Sequence, residues 1–96
     1  MKKFQAIIDF TMDDEFMNLV PPHRTYINFL INKNTIDSYI VSMESQQVWI
    51  TINGETSAEV RTVLSQSPLY KYWVVTIREV FVYDGQLYRL PLLQLN

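Results

Sequence analysis

The chain of 96 residues has no cysteine, only two glycines and a single histidine. The missing cysteines exclude disulfides, thiolate metal sites and cysteine nucleophiles together. With Gly54 and Gly85 alone, no glycine-rich loop can cradle a phosphate. One histidine, His23, is too few for a histidine metal cage built by one chain. No metal or cofactor is therefore expected. Basic residues are also sparse: eight against ten acidic ones, a net charge of −2, with no Lys/Arg stripe. Nucleic acid is not an expected partner. Long apolar runs are missing too. Met1-Lys2-Lys3 resembles the basic onset of a signal peptide, but Asp9 interrupts the apolar run that follows. Nothing approaches the ~20 residues of a membrane span. The expectation is a cytoplasmic protein without a membrane partner.

What is present is apolar and aromatic, 48% and 14% of the chain. A single domain this small hides only roughly two-thirds of its unfolded surface. Part of that apolar content is therefore expected at an interface. One domain, residues 1–96, accounts for the length.

The hydrophobic pattern gives the elements. Phe4, Ala6, Ile8 and Phe10 alternate with Gln5, Ile7 and Asp9, a strand with one dry and one mixed face. Asp13 to Val20 suits one or two helical turns, and Pro21-Pro22 is expected to stop any helix running on from Asp13. Pro22 then opens a new helix carrying Tyr26, Ile27, Leu30 and Ile31. Asn32-Lys33-Asn34 ends it, since Asn tolerates the left-handed conformation. Residues 36–43 and 47–53 form a hairpin around Glu44-Ser45-Gln46. Thr56 and Glu59 have capping-box spacing and start a second helix that Pro68 ends. A fourth strand is expected over 74–83. Asp84-Gly85 then turns it into a fifth over 86–90, followed by an apolar tail.

This order, βαββαβ with an extra C-terminal strand, predicts an α+β ferredoxin-like domain with both helices on one sheet face. The other face keeps apolar residues, and a second copy of the chain is its expected cover. The protein should be a homodimer.

The corner Ser67-Pro68-Leu69-Tyr70-Lys71-Tyr72-Trp73, running into Val74, resembles that of muconolactone isomerases, Leu-Pro-Leu-Phe-Pro-Tyr-Met before a strand. The likeness extends over residues 56–80. Pro21-Pro22-His23-Arg24 at a helix start resembles the YCII-related family, where a proline shortly precedes a helix histidine. Both resemblances imply a dimeric α/β barrel, and together they touch most of residues 20–80. The departures concern chemistry. The isomerase strand rich in Trp, Arg and His corresponds here to Ile36-Asp37-Ser38-Tyr39-Ile40-Val41, without a cation. The aspartate that partners the YCII-type histidine is here Ser67.

His23 is the one side chain whose ordinary pKa lies near neutrality, and so the candidate proton shuttle. The alternative is a surface or partly buried histidine that satisfies a backbone group. Asp9 and Gln5 share the mixed face of the first strand. There Asp9 could orient His23 or simply face water. Arg78, inside an apolar strand, could clamp a carboxylate or join a cross-strand ion pair. Tyr26, Trp49 and Tyr72, with Tyr39, Tyr70 and Trp73, could wall a pocket for a small organic ligand or fill core and interface. Thr56, Ser57, Ser65 and Ser67 have no histidine near them in sequence, so a hydrolytic triad is not expected. Two functions follow. One is muconolactone isomerase-like proton transfer on a lactone or organic acid, with His23 and Asp9 catalytic and Arg78 on the carboxylate. The other is a non-catalytic small-molecule-binding or dimerisation module. A cofactor-free monooxygenase would share the architecture.

Overall fold

A computed structural model describes residues 1–84. The expected hairpin return over 86–90 and the apolar tail lie outside the described residues. Four strands and two helices follow in the order β1 (Lys2–Phe10), α1 (Phe16–Asn32), β2 (Ile36–Ser42), β3 (Gln47–Gly54), α2 (Ser57–Leu64) and β4 (Trp73–Glu79). A single 3-10 turn, Tyr70–Tyr72, precedes β4. The sheet order is β2-β3-β1-β4 and every pairing is antiparallel. This is an α+β arrangement compatible with a ferredoxin-like fold. No helix of the described residues is long and apolar enough to cross a membrane.

Alternation in β1 sets the two faces. Phe4, Ala6, Ile8 and Phe10 are buried with Ile50 and Ile52 of β3, and meet Ile27, Leu30, Val60 and Leu64 from the helices. Gln5, Ile7 and Asp9 point to the open face. α1 ends as its sequence suggests: Asn34 takes φ 65°, and Thr35 N–H reaches back to the Leu30 carbonyl. Thr56 caps α2 by accepting from the Glu59 amide at 3.1 Å.

Two expectations are corrected. α1 runs without interruption through Pro21 and Pro22. Each proline removes one helical bond, and the carbonyls left over belong to Met17 and Asn18, both exposed, where water can take the place of the amide. The turn before the prolines is held by other means. Asp13 Oδ1 accepts from the amides of Glu15 and Phe16 at 2.9 and 3.1 Å. The Phe16 ring stacks on Phe10 and meets the edge of Tyr72. The second correction concerns β4, which stops at Glu79. Among the described residues β4 pairs with β1 alone, which begins at Lys2, and the last bond between them runs from Val80 N–H to the Lys3 carbonyl.

β2 carries one extra residue. Ile36 lies opposite Ile52 but Ser38 opposite Thr51, so Asp37 is a bulge. Its carboxylate meets Lys3 Nζ and accepts from Asn53 Nδ2. Counting by twos from Ile36 would send Tyr39 outward. The bulge turns Tyr39 onto the helix side, opposite Ile50.

The β3–α2 junction is as tight as a side chain allows. A Cβ on Gly54 would stand 2.9 Å from Cγ2 of Val60, which is buried and β-branched. Gly54→Ala is expected to lower unfolding stability by roughly 1–3 kcal/mol, the usual range for overpacking. In Gly54→Ala/Val60→Ala the two losses should combine to less than their sum, because the second change vacates the contested space. Urea melts of the three variants check this, and strict additivity would refute the contact.

Candidate functional site

His23 lies one helical turn before Ile27 on the inward stripe of α1 and is 3% exposed. A buried imidazole must satisfy two nitrogens, and both find hydroxyls. Nδ1 is 2.6 Å from Ser67 Oγ and Nε2 is 2.7 Å from Tyr39 Oη. Ser67 Oγ also accepts from the Leu69 amide at 3.1 Å, which fixes the corner ahead of β4. The edge of Trp73 closes against the imidazole, with ring centroids 5.6 Å apart. One side chain thus ties α1, β2 and the helix-to-strand corner together.

Burial disfavours the imidazolium, the neighbouring Arg24 charge adds to the effect, and the His23 pKa falls to about 4. The ring is neutral at physiological pH. Burial pushes the Tyr39 hydroxyl up, with Arg24 opposing weakly, so it too stays protonated.

Beside this trio, between the first half of α1 and the far ends of β2 and β3, lies a cavity of about 330 Å³. His23, Tyr39 and Trp73 form one end, and Phe16, Met17 and Val20 of α1 line it too. Arg24 also lines it, exposed, with its guanidinium 5.4 Å from the Tyr39 ring centre. No carboxylate is among the lining residues. Ser67 holds His23 from behind and does not line the cavity. Among the described residues, no group of acidic or histidine side chains could hold a metal ion.

The other residues singled out from sequence fall elsewhere. Asp9 is exposed on the open sheet face, accepting from Gln47 Nε2 at 3.2 Å. Gln5 is on the same face, where Ser38 donates to Thr51 and Thr51 to Gln5. Arg78 stands opposite Gln5 in register and is exposed. It is not turned inward, because its position in β4 has the parity of Gln5 and not of Ala6. The sheet separates it and Asp9 from His23, so the expected trio does not converge within one chain. Trp49 is half-buried on the open face between Ile7 and Ile40. Tyr26 spends its hydroxyl on the Val63 carbonyl, at 2.7 Å, linking α1 to α2. Tyr72 donates to Asp13 at 2.6 Å. That bond holds the Asp13 carboxyl below its ordinary value against the opposing effect of burial, and pushes Tyr72 up to about 12.

The reading from sequence paired no serine with His23. Ser67 and His23 are 44 positions apart, and only the fold joins them. The available signal was the YCII-type resemblance, in which the residue at position 67 partners the helix histidine.

The depressed His23 pKa makes a pH prediction with a definite sign. In the unfolded chain the imidazole takes a proton near pH 6.5, in the fold only near pH 4. Between those values the unfolded state binds more protons, so falling pH favours unfolding. The contribution is complete above pH 6.5 and is lost as pH drops to about 4, up to about 3 kcal/mol in all. Chemical denaturation from pH 7.5 to 4 should show this loss, and His23→Gln should flatten it. An unchanged slope in the variant would mean that other groups carry it.

A scan against protein-family models finds no match to the chain. A search of curated proteins finds none either.

Proposed function

We propose that the chain is a small-molecule-binding domain that works as a homodimer of the dimeric α/β-barrel type. The observation behind this reading is the cavity of about 330 Å³ beside His23 and Tyr39. Its volume and its mainly apolar walls with a few polar groups at one end are those of a site for a ring-sized organic ligand. Binding is favoured over catalysis because both His23 nitrogens are already engaged by protein hydroxyls. Asp9 and Arg78, the other members of the expected acid–base set, lie across the sheet.

Muconolactone isomerase-like proton transfer on a small lactone or organic acid is the second reading. The 2.7 Å contact between His23 and Tyr39 at an apolar cavity favours it. In that case Arg24 would meet the substrate carboxylate, and the work expected of Arg78 would pass to it. Deuterium uptake from D2O into a small lactone, abolished by His23→Ala, would support this reading against simple binding.

Self-association rests on the open sheet face. Ile40, Trp49, Ile7 and Thr76 form one row across it, with Val74 beside them. Ile40 and Val74 are 56% and 69% exposed in the single chain. A second copy packed sheet to sheet would remove this surface from water.

Two measurements check the proposal. Benzoate, acetophenone and ethylbenzene are similar in size and differ in their polar group. At least one should bind saturably by ligand-observed NMR, and Val20→Trp, which fills the cavity, should abolish the binding. No binding of any of the three by the folded protein would overturn the reading of the cavity. Light scattering at micromolar concentration should give a dimer, and Trp49→Glu a monomer. A folded wild-type monomer would overturn the assembly.

A further inference from the structure

The direction of the hydrogen bonds around His23 carries a consequence for what the cavity accepts. A neutral imidazole has one N–H and one acceptor nitrogen. Ser67 Oγ is already an acceptor for the Leu69 amide. If Nδ1 carried the proton, Ser67 would accept twice and its own hydrogen would have no acceptor among the described residues. Ser67 is 6% exposed, so that hydrogen would be lost to water as well. With the proton on Nε2 both imidazole nitrogens and the buried Ser67 hydroxyl are satisfied, and the one hydrogen left over is Tyr39's, beside the cavity. The Leu69 amide donates to Ser67, Ser67 donates to Nδ1, and Nε2–H donates to Tyr39 Oη. Tyr39 then spends a lone pair on His23 and keeps its own hydrogen. Among the described residues no other group bonds Tyr39 Oη.

We infer that His23 is a fixed donor and Tyr39 the hydrogen-bond donor to the ligand, so that the cavity selects an apolar ring bearing an acceptor oxygen, a carbonyl or a carboxylate. This rests on the binding function proposed above and adds the ligand's chemical class. The surrounding charge agrees, since Arg24 lines the cavity and no carboxylate does. Ser67 is a positioning residue, touching His23 and not the cavity. A chain of aligned hydroxyl and imidazole donors also strengthens its last member by polarisation.

The test has two arms. Long-range ¹H–¹⁵N NMR of the wild-type protein at neutral pH should show His23 protonated at Nε2 and bare at Nδ1. In the binding arm, benzoate and acetophenone should bind more tightly than ethylbenzene. Tyr39→Phe should weaken acetophenone roughly 3- to 10-fold and benzoate by about 10-fold or more, leaving ethylbenzene unchanged. An Nδ1–H tautomer overturns this inference while leaving the cavity a binding site. So does preference for ethylbenzene, or equal loss of all three probes in Tyr39→Phe. If the wild-type protein binds none of the three, the binding reading falls and this inference with it.

Discussion

A buried, uncharged imidazole with both nitrogens occupied is the constraint on which the arrangement of this domain depends. His23 belongs to α1, Tyr39 to the edge strand β2, and Ser67 to the corner that launches β4. These elements are distant in the chain, and apolar packing alone would leave their relative positions loose. Two short hydrogen bonds remove that freedom. Leaving either nitrogen unpaired in the interior would cost about 1–3 kcal/mol, which makes the alternatives to this geometry expensive.

Much of the fold was legible in the chain. Period two in β1, the capping threonine before α2 and the asparagine after α1 each rest on local chemistry, and local chemistry is what a sequence exposes. The misreadings were all non-local. Pro21-Pro22 looked like a stop because a proline removes a helical bond. Whether that loss can be borne depends on water at the Met17 and Asn18 carbonyls and on Phe10 and Tyr72 gripping Phe16. β4 looked longer because Val80, Phe81 and Val82 are apolar, but among the described residues its neighbour is β1, which begins at Lys2.

The site was legible in its single most reactive residue and not in its partners. His23 stood out because it is the one histidine. Tyr39 and Trp73 were among the aromatic candidates for a pocket wall, but the bond from Tyr39 to His23 was hidden by the bulge at Asp37, which shifts the parity of β2 in a way no alternation rule reveals. Arg78 and Asp9 drew notice as charges near apolar residues, yet parity in β1 and β4 puts them on the sheet face away from His23. The two faces thus divide the polar chemistry. One holds the hydrogen-bonded His23, Ser67 and Tyr39 beside a cavity that Arg24 also lines. The other holds charged and amide groups around a row of Ile7, Trp49 and Ile40.

The proline pair also divides α1 mechanically. On one side lie Phe16, Met17 and Val20, which line the cavity, and on the other the imidazole and the helix that carries it. Two consecutive rungs are missing from the backbone ladder between them, so the two parts are joined by fewer bonds than any other neighbouring turns of this helix. The two side-chain bonds of His23 run to Ser67 and Tyr39 and so do not involve the leading turn. The leading turn therefore keeps its place less by the helical ladder than by the Asp13 carboxylate at its start and by the Phe16 ring wedged between Phe10 and Tyr72.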